Sequence, residues 1–325
     1  MPIITYLEAI RQGLREEMQR DPNVFLIGED IGAYGGAFKV TKGLFEEFGA
    51  ARVIDTPISE AAIVGAAVGT AVRGLRPVAE MQFSDFITDG FNQTVNIAAT
   101  TYYRWHIPVP MVIRMPSGAG ISGGPWHSRN PEAWFAHQPG LKIVCPATAY
   151  DAKGLIKSAI RDNNPVLYFE HKNLYRKIKD DVPAEEYLVP LGKARIAREG
   201  RDATAIVYGA AVHLALEAAE KIFAETGNLV EVIDLRSLVP LDTEAVLNSI
   251  KKTGRVLIAH EDNLTAGFGA EIAAQIADAA FTYLDAPIKR VAAKDIPVPF
   301  APELEKFTLP SSGEIEGTLR ELMAY

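Results

Sequence analysis

A chain of 325 residues exceeds the usual size of one domain, so two compact domains with well-buried cores are the starting expectation. Its 48% hydrophobic and 23% charged residues exclude a disordered or fibrous chain, and a net charge of −8 without long Lys/Arg runs argues against nucleic acid as a partner. A single cysteine, Cys145, excludes an internal disulfide, no apolar run reaches the roughly 18–20 residues of a membrane span, and Met1 to Glu8 lacks the basic-then-apolar order of a secretory signal.

These features predict a cytoplasmic protein, although an organelle protein that had lost its presequence would look the same. In chain order, apolar periodicity predicts a helix over 6–20, a strand over 24–28, a helix over 60–73 and a strand over 77–82. A helix over 90–103, strands over 109–114 and 141–144, a helix over 151–161 and a strand over 166–170 follow, with Cys145 at a buried strand end. Short branched-apolar strands alternating with helices indicate a parallel sheet covered on both faces, an α/β domain over 1–178.

Polar, proline-punctuated sequence then predicts a linker over 179–200. The rhythm restarts with strands over 204–208, 230–235, 255–260 and 288–292 and helices over 213–226 and 269–280, a smaller α/β domain over 201–325.

Three segments bear on chemistry. Asp55-Thr56-Pro57-Ile58-Ser59-Glu60 opens a helix, with Ser59 as N-cap and Glu60 in the first turn at the positive end of the dipole. Gly65 and Gly69, four apart among alanines, give that helix a face suited to close packing. A surface carboxylate that merely complements the dipole has the same pattern, so spacing alone leaves both readings open. Gln82-Phe83-Ser84-Asp85-Phe86 leaves the carboxyl end of a strand, where open α/β sheets bind ligands, and Phe86 is placed to stack on a flat heteroaromatic ring; core packing of Phe83 and Phe86 is the alternative. The glycine-rich run 115–128 lacks both Walker and Rossmann spacing and reads as a loop presenting His127, a proton donor or acceptor near neutral pH. Arg161-Asp162-Asn163-Asn164-Pro165 offers oxygen donors for a hard cation or a plain helix-ending turn. His137 and His171 lack metal-ligand spacing.

With Ile27-Gly28-Glu29-Asp30, Asp55 to Glu60, Gly74-Leu75-Arg76-Pro77, His127-Ser128, Pro139-Gly140-Leu141-Lys142, Asp151 to Leu155 and Val232 to Arg236 in order, the chain resembles the beta subunits of pyruvate and branched-chain 2-oxo acid dehydrogenases. The resemblance implies a thiamine diphosphate pyrimidine-binding domain followed by a transketolase C-terminal-like domain. It implies that Glu60 activates the cofactor through its aminopyrimidine ring, that Gln82, Phe86 and Glu29 line the cofactor, and that His127 assists acyl transfer to lipoamide. It implies a structural potassium site at Met111, Ala159, Asp162 and Asn164. The Gly-Asp-Gly-to-Asn-Asn diphosphate and magnesium motif is missing, which in this family means that an alpha subunit holds the magnesium in an alpha2beta2 assembly, with the dihydrolipoyl acyltransferase core and its lipoyl domain as further partners. Segments 82–86, 130–133 and 258–261 look nearer the branched-chain type and 157–165 nearer the pyruvate type, so the preferred 2-oxo acid stays open. A different split transketolase-family enzyme and a non-catalytic scaffold subunit are the rival expectations.

Overall fold

The computed structural model describes residues 3–325. The branched-apolar runs of the first half become β2 (Val24–Gly28), β4 (Arg76–Glu80), β5 (Val112–Ser117), β6 (Lys142–Val144) and β7 (Val166–His171), joined by the short β1 (Ile3–Thr5) and β3 (Val53–Asp55). Six of these form a parallel sheet in the order β3-β2-β4-β5-β7-β6. Every residue of β2, β5 and β7 is buried, because helices cover both faces and leave no side for water.

On one face lie α1 (Tyr6–Arg20) and α6 (Ala149–Arg161). Thr5 and Glu8 close a capping box at the start of α1, and Gly13 lets α1 approach the backbone of Lys153 on α6. The short α2 (Leu44–Phe48) packs beside them. The other face carries α3 (Glu60–Ala71), a π-helical stretch Gln93–Ala98 running into α4 (Ala99–Trp105), and α5 (Glu132–Ala136). The helix expected over 90–103 therefore widens in its middle. The hydroxyls of Thr94, Thr100 and Thr101 bond back to the carbonyls of Gly90, Asn96 and Ile97, which competes with regular helical bonding. The strand expected from 109 begins at Val112, because Pro108 and Pro110 carry no N–H for a ladder.

In the second half β10 (Ala203–Val207), β11 (Val230–Asp234), β13 (Val256–Asn263) and β14 (Lys289–Ala293) are parallel, and β9 (Arg195–Arg198) closes one edge antiparallel, in the order β14-β13-β10-β11-β9. Around them pack α7 (Ala211–Thr226), α8 (Thr243–Thr253), α9 (Phe268–Ala280), α10 (Pro302–Thr308) and α11 (Ser312–Met323). The polar stretch 179–200 carries β8 (Lys179–Asp181), paired with β1, near its start and β9 near its end; both are edge strands, β8 largely exposed and β9 mostly half-buried.

The halves share one core. β12 (Ser237–Val239), which follows β11, adds antiparallel to β6 at the edge of the first sheet. Ile143 and Cys145 pack in the same cluster as Tyr208, Leu235, Leu238 and Ile258. Full burial of each Ile or Leu here contributes roughly 1.5–3 kcal/mol, so the two sheets stabilise one another. Among the described residues no helix is long and apolar enough to cross a membrane.

Candidate active site

The carboxyl edge of the first sheet gathers most of the residues singled out above. β2 ends at Gly28 and hands the chain to Glu29 and Asp30, the latter in the left-handed region at φ 57°. β3 leads through Thr56 to Ser59 into α3, whose first residue is Glu60. Thr56 donates its N–H to the Gly28 carbonyl at 2.9 Å, so the approach to α3 is tied to the end of β2. Ser59 stands at the N-cap position but its hydroxyl caps nothing, contrary to expectation. Its backbone (φ −170°, ψ 73°) instead directs its own N–H to Glu29 Oε1 at 3.3 Å. Glu29 is buried while Glu60 is half-buried. Burial, and then the neighbouring charge of Glu60, pushes the Glu29 carboxyl above its ordinary value.

The exit of β4 lies beside that of β2, Gly28 being paired with Glu80. Gln82 donates its side-chain amide to Asp30 Oδ2 at 3.0 Å, joining the exits of β2 and β4. A 3-10 turn, Ser84–Thr88, follows, and Gly90 beyond it lies against Val64 and the Glu60 carbonyl with no room for a Cβ beside Val64. His127 meets Phe83 edge-on, with ring centroids 4.5 Å apart, and Phe86 at 5.5 Å. Phe83 and Phe86 are half-buried. The turn is anchored to the 118–130 loop: Ser84 Oγ donates to the Arg129 carbonyl at 3.0 Å, and Arg129 N–H to Asp85 Oδ2 at 3.4 Å. Lys172, buried with its ammonium 5.6 Å from the Phe83 ring centre, is brought down to about 8 by burial, which the Asp85 charge opposes. Asp30, Asp85 and Lys172, to which the sequence reading gave no role, and Phe83, which it weighed as a core residue, thus lie among these groups; the carboxyl-edge rule, applied to every strand exit, points at them.

Beneath this edge lies a fully buried ion network. The Arg114 guanidinium reaches Glu170 with two bonds of 2.5 and 2.8 Å and Glu80 with one of 2.5 Å, and Tyr175 donates to Glu170 at 2.7 Å. Glu80 ends β4 immediately before Met81 and Gln82, so the network holds the strand from which the Ser84–Thr88 turn departs. Burial raises Glu80 and the Arg114 charge lowers it; the net direction is up.

The proposed potassium ligands lie elsewhere, at the amino edge of the sheet. Met111 precedes β5, Asp162 ends α6 and Asn164 precedes β7. The Met111 carbonyl accepts from Val166 N–H and the Ala159 carbonyl from Asp162 N–H. Asp162 Oδ2 pairs with the Lys142 ammonium at 2.5 Å, its Oδ1 accepts from Asn164 N–H at 2.8 Å, and its carbonyl accepts from Arg76 at 3.0 Å. Lys142 thus pairs with the Asp162 carboxylate, while Arg76 occupies its main-chain oxygen. No cluster of three or more His, Cys, Asp or Glu suited to a metal occurs among the described residues.

Comparison with known proteins agrees with this architecture. Residues 3–177 match the transketolase pyrimidine binding domain and residues 192–315 the transketolase C-terminal domain. The chain is 49% identical to the 2-oxoisovalerate dehydrogenase subunit beta of Bacillus subtilis, with both chains covered in full. It is 44% identical to the pyruvate dehydrogenase E1 component subunit beta of Staphylococcus epidermidis, with 97% of each covered. It also shares its fold with a split-gene transketolase solved as an inactive beta4 tetramer, at a TM-score of 0.80 and 23% identity over 99% of this chain and 98% of that one. A pyrimidine-binding parallel-sheet domain joined to a transketolase C-terminal domain is therefore the class. Within it, the chain belongs to the family of 2-oxo acid dehydrogenase E1 beta subunits.

Proposed function

We propose that this chain is the pyrimidine-gripping half of a thiamine diphosphate-dependent decarboxylase, which oxidatively decarboxylates pyruvate or a branched-chain 2-oxo acid and passes the acyl group to lipoamide. The observation that carries the reading is the gathering at one sheet edge of Glu60, in the first turn of α3 beside buried Glu29, of Gln82 bonded to Asp30 at the exit of β2, and of Phe83, Phe86 and His127 in mutual contact beyond β4 and β5. When bound, the cofactor supplies an electron sink for the carbon–carbon bond that breaks.

The protein groups bind and set protons. Glu60, at the first turn of α3, is placed to hydrogen-bond a ring nitrogen set against it, and its charge adds to burial in raising the Glu29 carboxyl behind it. Glu29 holds the entry of α3 through the Ser59 N–H and thereby fixes where Glu60 starts. Phe86, with Phe83 behind it, offers an aromatic edge to a flat heterocycle, and Gln82 adds a polar group at the rim. His127, half-buried on that aromatic pair, is placed to move a proton during acyl transfer.

Because the sequence lacks the diphosphate and magnesium motif, an alpha-type subunit holds that end of the cofactor and the chain acts only in an assembly. Ala62, Ala66 and Gly69 leave the outer face of α3 exposed and flat, with nothing within 4 Å of a Cβ added at Gly69, which suits a partner pressed against it. An acyltransferase core is the further partner this reading requires.

The test is the chain with its alpha-type partner, thiamine diphosphate and magnesium, assayed for 2-oxo acid-dependent reduction of an artificial acceptor. Activity only in the mixture, reduced well over tenfold by Glu60→Gln, is expected. Turnover of sugar phosphates without 2-oxo acid oxidation supports the split-transketolase rival instead, and full activity in the Glu60→Gln complex supports a scaffold. His127→Ala is expected to reduce lipoamide-coupled transfer more than acceptor reduction; equal losses remove that role.

A further inference from the structure

The loop that presents His127 is held by the other half of the chain. Between Gly118 and Asn130 the backbone turns left-handed at Gly118, Gly120 and Gly124 and at Ser122, so local preference does little to define its path. Glu261 on β13 binds both ends of it. One carboxylate oxygen accepts from Ala119 N–H at 2.6 Å and from the Asn130 side-chain amide at 3.0 Å, while the other meets His171 Nε2 at 2.8 Å. Burial alone would raise this carboxyl, yet the His171 ring and the bonds from Ala119 and Asn130 hold it down at about 2.

Glu305 on α10 grips the middle. It is 4% exposed and accepts from Gly120 N–H at 3.0 Å and from Ser122 N–H at 3.1 Å on each oxygen. Phe300, just before α10, lies against Gly124 so closely that a Cβ there would collide with the ring. From Gly124 a tight turn, closed by His127 N–H donating to the Gly124 carbonyl at 3.3 Å, sets the imidazole against Phe83 and Phe86.

We infer that Glu305 is a positioning residue for His127. It fixes residues 120–122, the turn at Gly124 carries that constraint forward, and the C-terminal half thereby decides where the imidazole stands. The inference rests on the role given to His127 above but concerns residues more than 170 positions away in sequence, on an element with no group of its own in the site.

The experiment uses the assembled complex carrying Glu305→Ala, Glu305→Asp or Glu305→Gln. Asp keeps the charge but loses a methylene of reach, whereas Gln keeps the reach and one acceptor oxygen, so the pair separates positioning from general destabilisation. Peptide-resolved amide exchange over 118–130 reads the clamp without reference to catalysis. Lipoamide-coupled rate against artificial-acceptor rate reads its consequence. Expected are faster loop exchange and a coupled rate lowered about tenfold in Ala and Asp, with a smaller fall in acceptor reduction, near-complete rescue by Gln, and no further loss when Glu305→Ala is added to His127→Ala. Unchanged exchange overturns the clamp, and faster exchange with an unchanged coupled rate overturns the positioning role. Absence of 2-oxo acid activity in the wild-type complex counts against the functional reading instead, and loop exchange in the Ala and Gln variants then still decides whether Glu305 holds the loop.

Discussion

Replacing Arg114 by Met removes the one cation from a site where Glu80 and Glu170 are 5% and 0% exposed. Methionine fills much of the volume, so the cost is electrostatic rather than a cavity. Removing one partner of a buried pair costs about 3–5 kcal/mol, because the remaining charge has neither water nor counter-ion. The two stranded carboxyls escape part of this by taking up protons, at about 1.4 kcal/mol for each pH unit above the ordinary carboxyl value.

The sign follows. In the variant the folded chain holds protons that the unfolded chain releases, so its deficit grows with pH above the ordinary carboxyl range. Near pH 5 the deficit is expected to be about 1 kcal/mol per carboxyl, and near pH 8 to reach the full 3–5 kcal/mol. At roughly 2–4 °C per kcal/mol for a unit of this size, thermal melts at the two pH values are expected to differ visibly in their wild-type-minus-variant gap. Arg114→Met combined with Glu80→Gln and Glu170→Gln is expected to recover most of the loss and all of its pH dependence. A gap of equal size at both pH values, or one below about 1 kcal/mol at pH 8, would refute the reasoning.

Three other outcomes follow from named groups. Asp262 is raised to about 7 by burial, so its folded form keeps a proton that the unfolded chain loses from about pH 4 upward, and it costs stability as pH rises through that window. Asp262→Asn is therefore expected to gain roughly 1–3 kcal/mol relative to wild type between pH 4 and pH 8, measured by paired melts, and a gain that does not depend on pH contradicts this. Potassium at Met111, Ala159, Asp162 and Asn164 is expected to raise Tm more than sodium at equal ionic strength; identical melts in the two salts reject the site, Lys142 then sufficing as the counter-ion of Asp162. Burial pushes the Cys145 thiol well up, so it is expected to resist thiol reagents until the chain is denatured, and rapid native labelling would show that the shared core opens.

Local sequence determined the elements. Thr5 and Glu8 cap α1 without help, and the short runs at 24–28 and 166–170, rich in branched and aromatic residues and alternating on neither side, favour buried parallel strands. It also placed Glu60 at a helix start and Phe86 and His127 beyond strand ends, because those are consequences of chain order. Residues joined only by folding were not legible: Gln82 meets Asp30 across 52 positions, Lys172 comes under Phe83 by way of β7, and Glu305 reaches Gly120 across 185. The carboxylates among them carry no local signal, because a Glu on a short helix looks like surface until another segment's N–H groups are brought against it. The same holds for β12, whose three residues become a strand only because β6 presents an open edge. Hydrophobic periodicity acts over neighbours a few positions apart and so is written in the sequence, whereas the pairing of distant polar groups depends on which edges and loops the finished fold brings within about 3 Å.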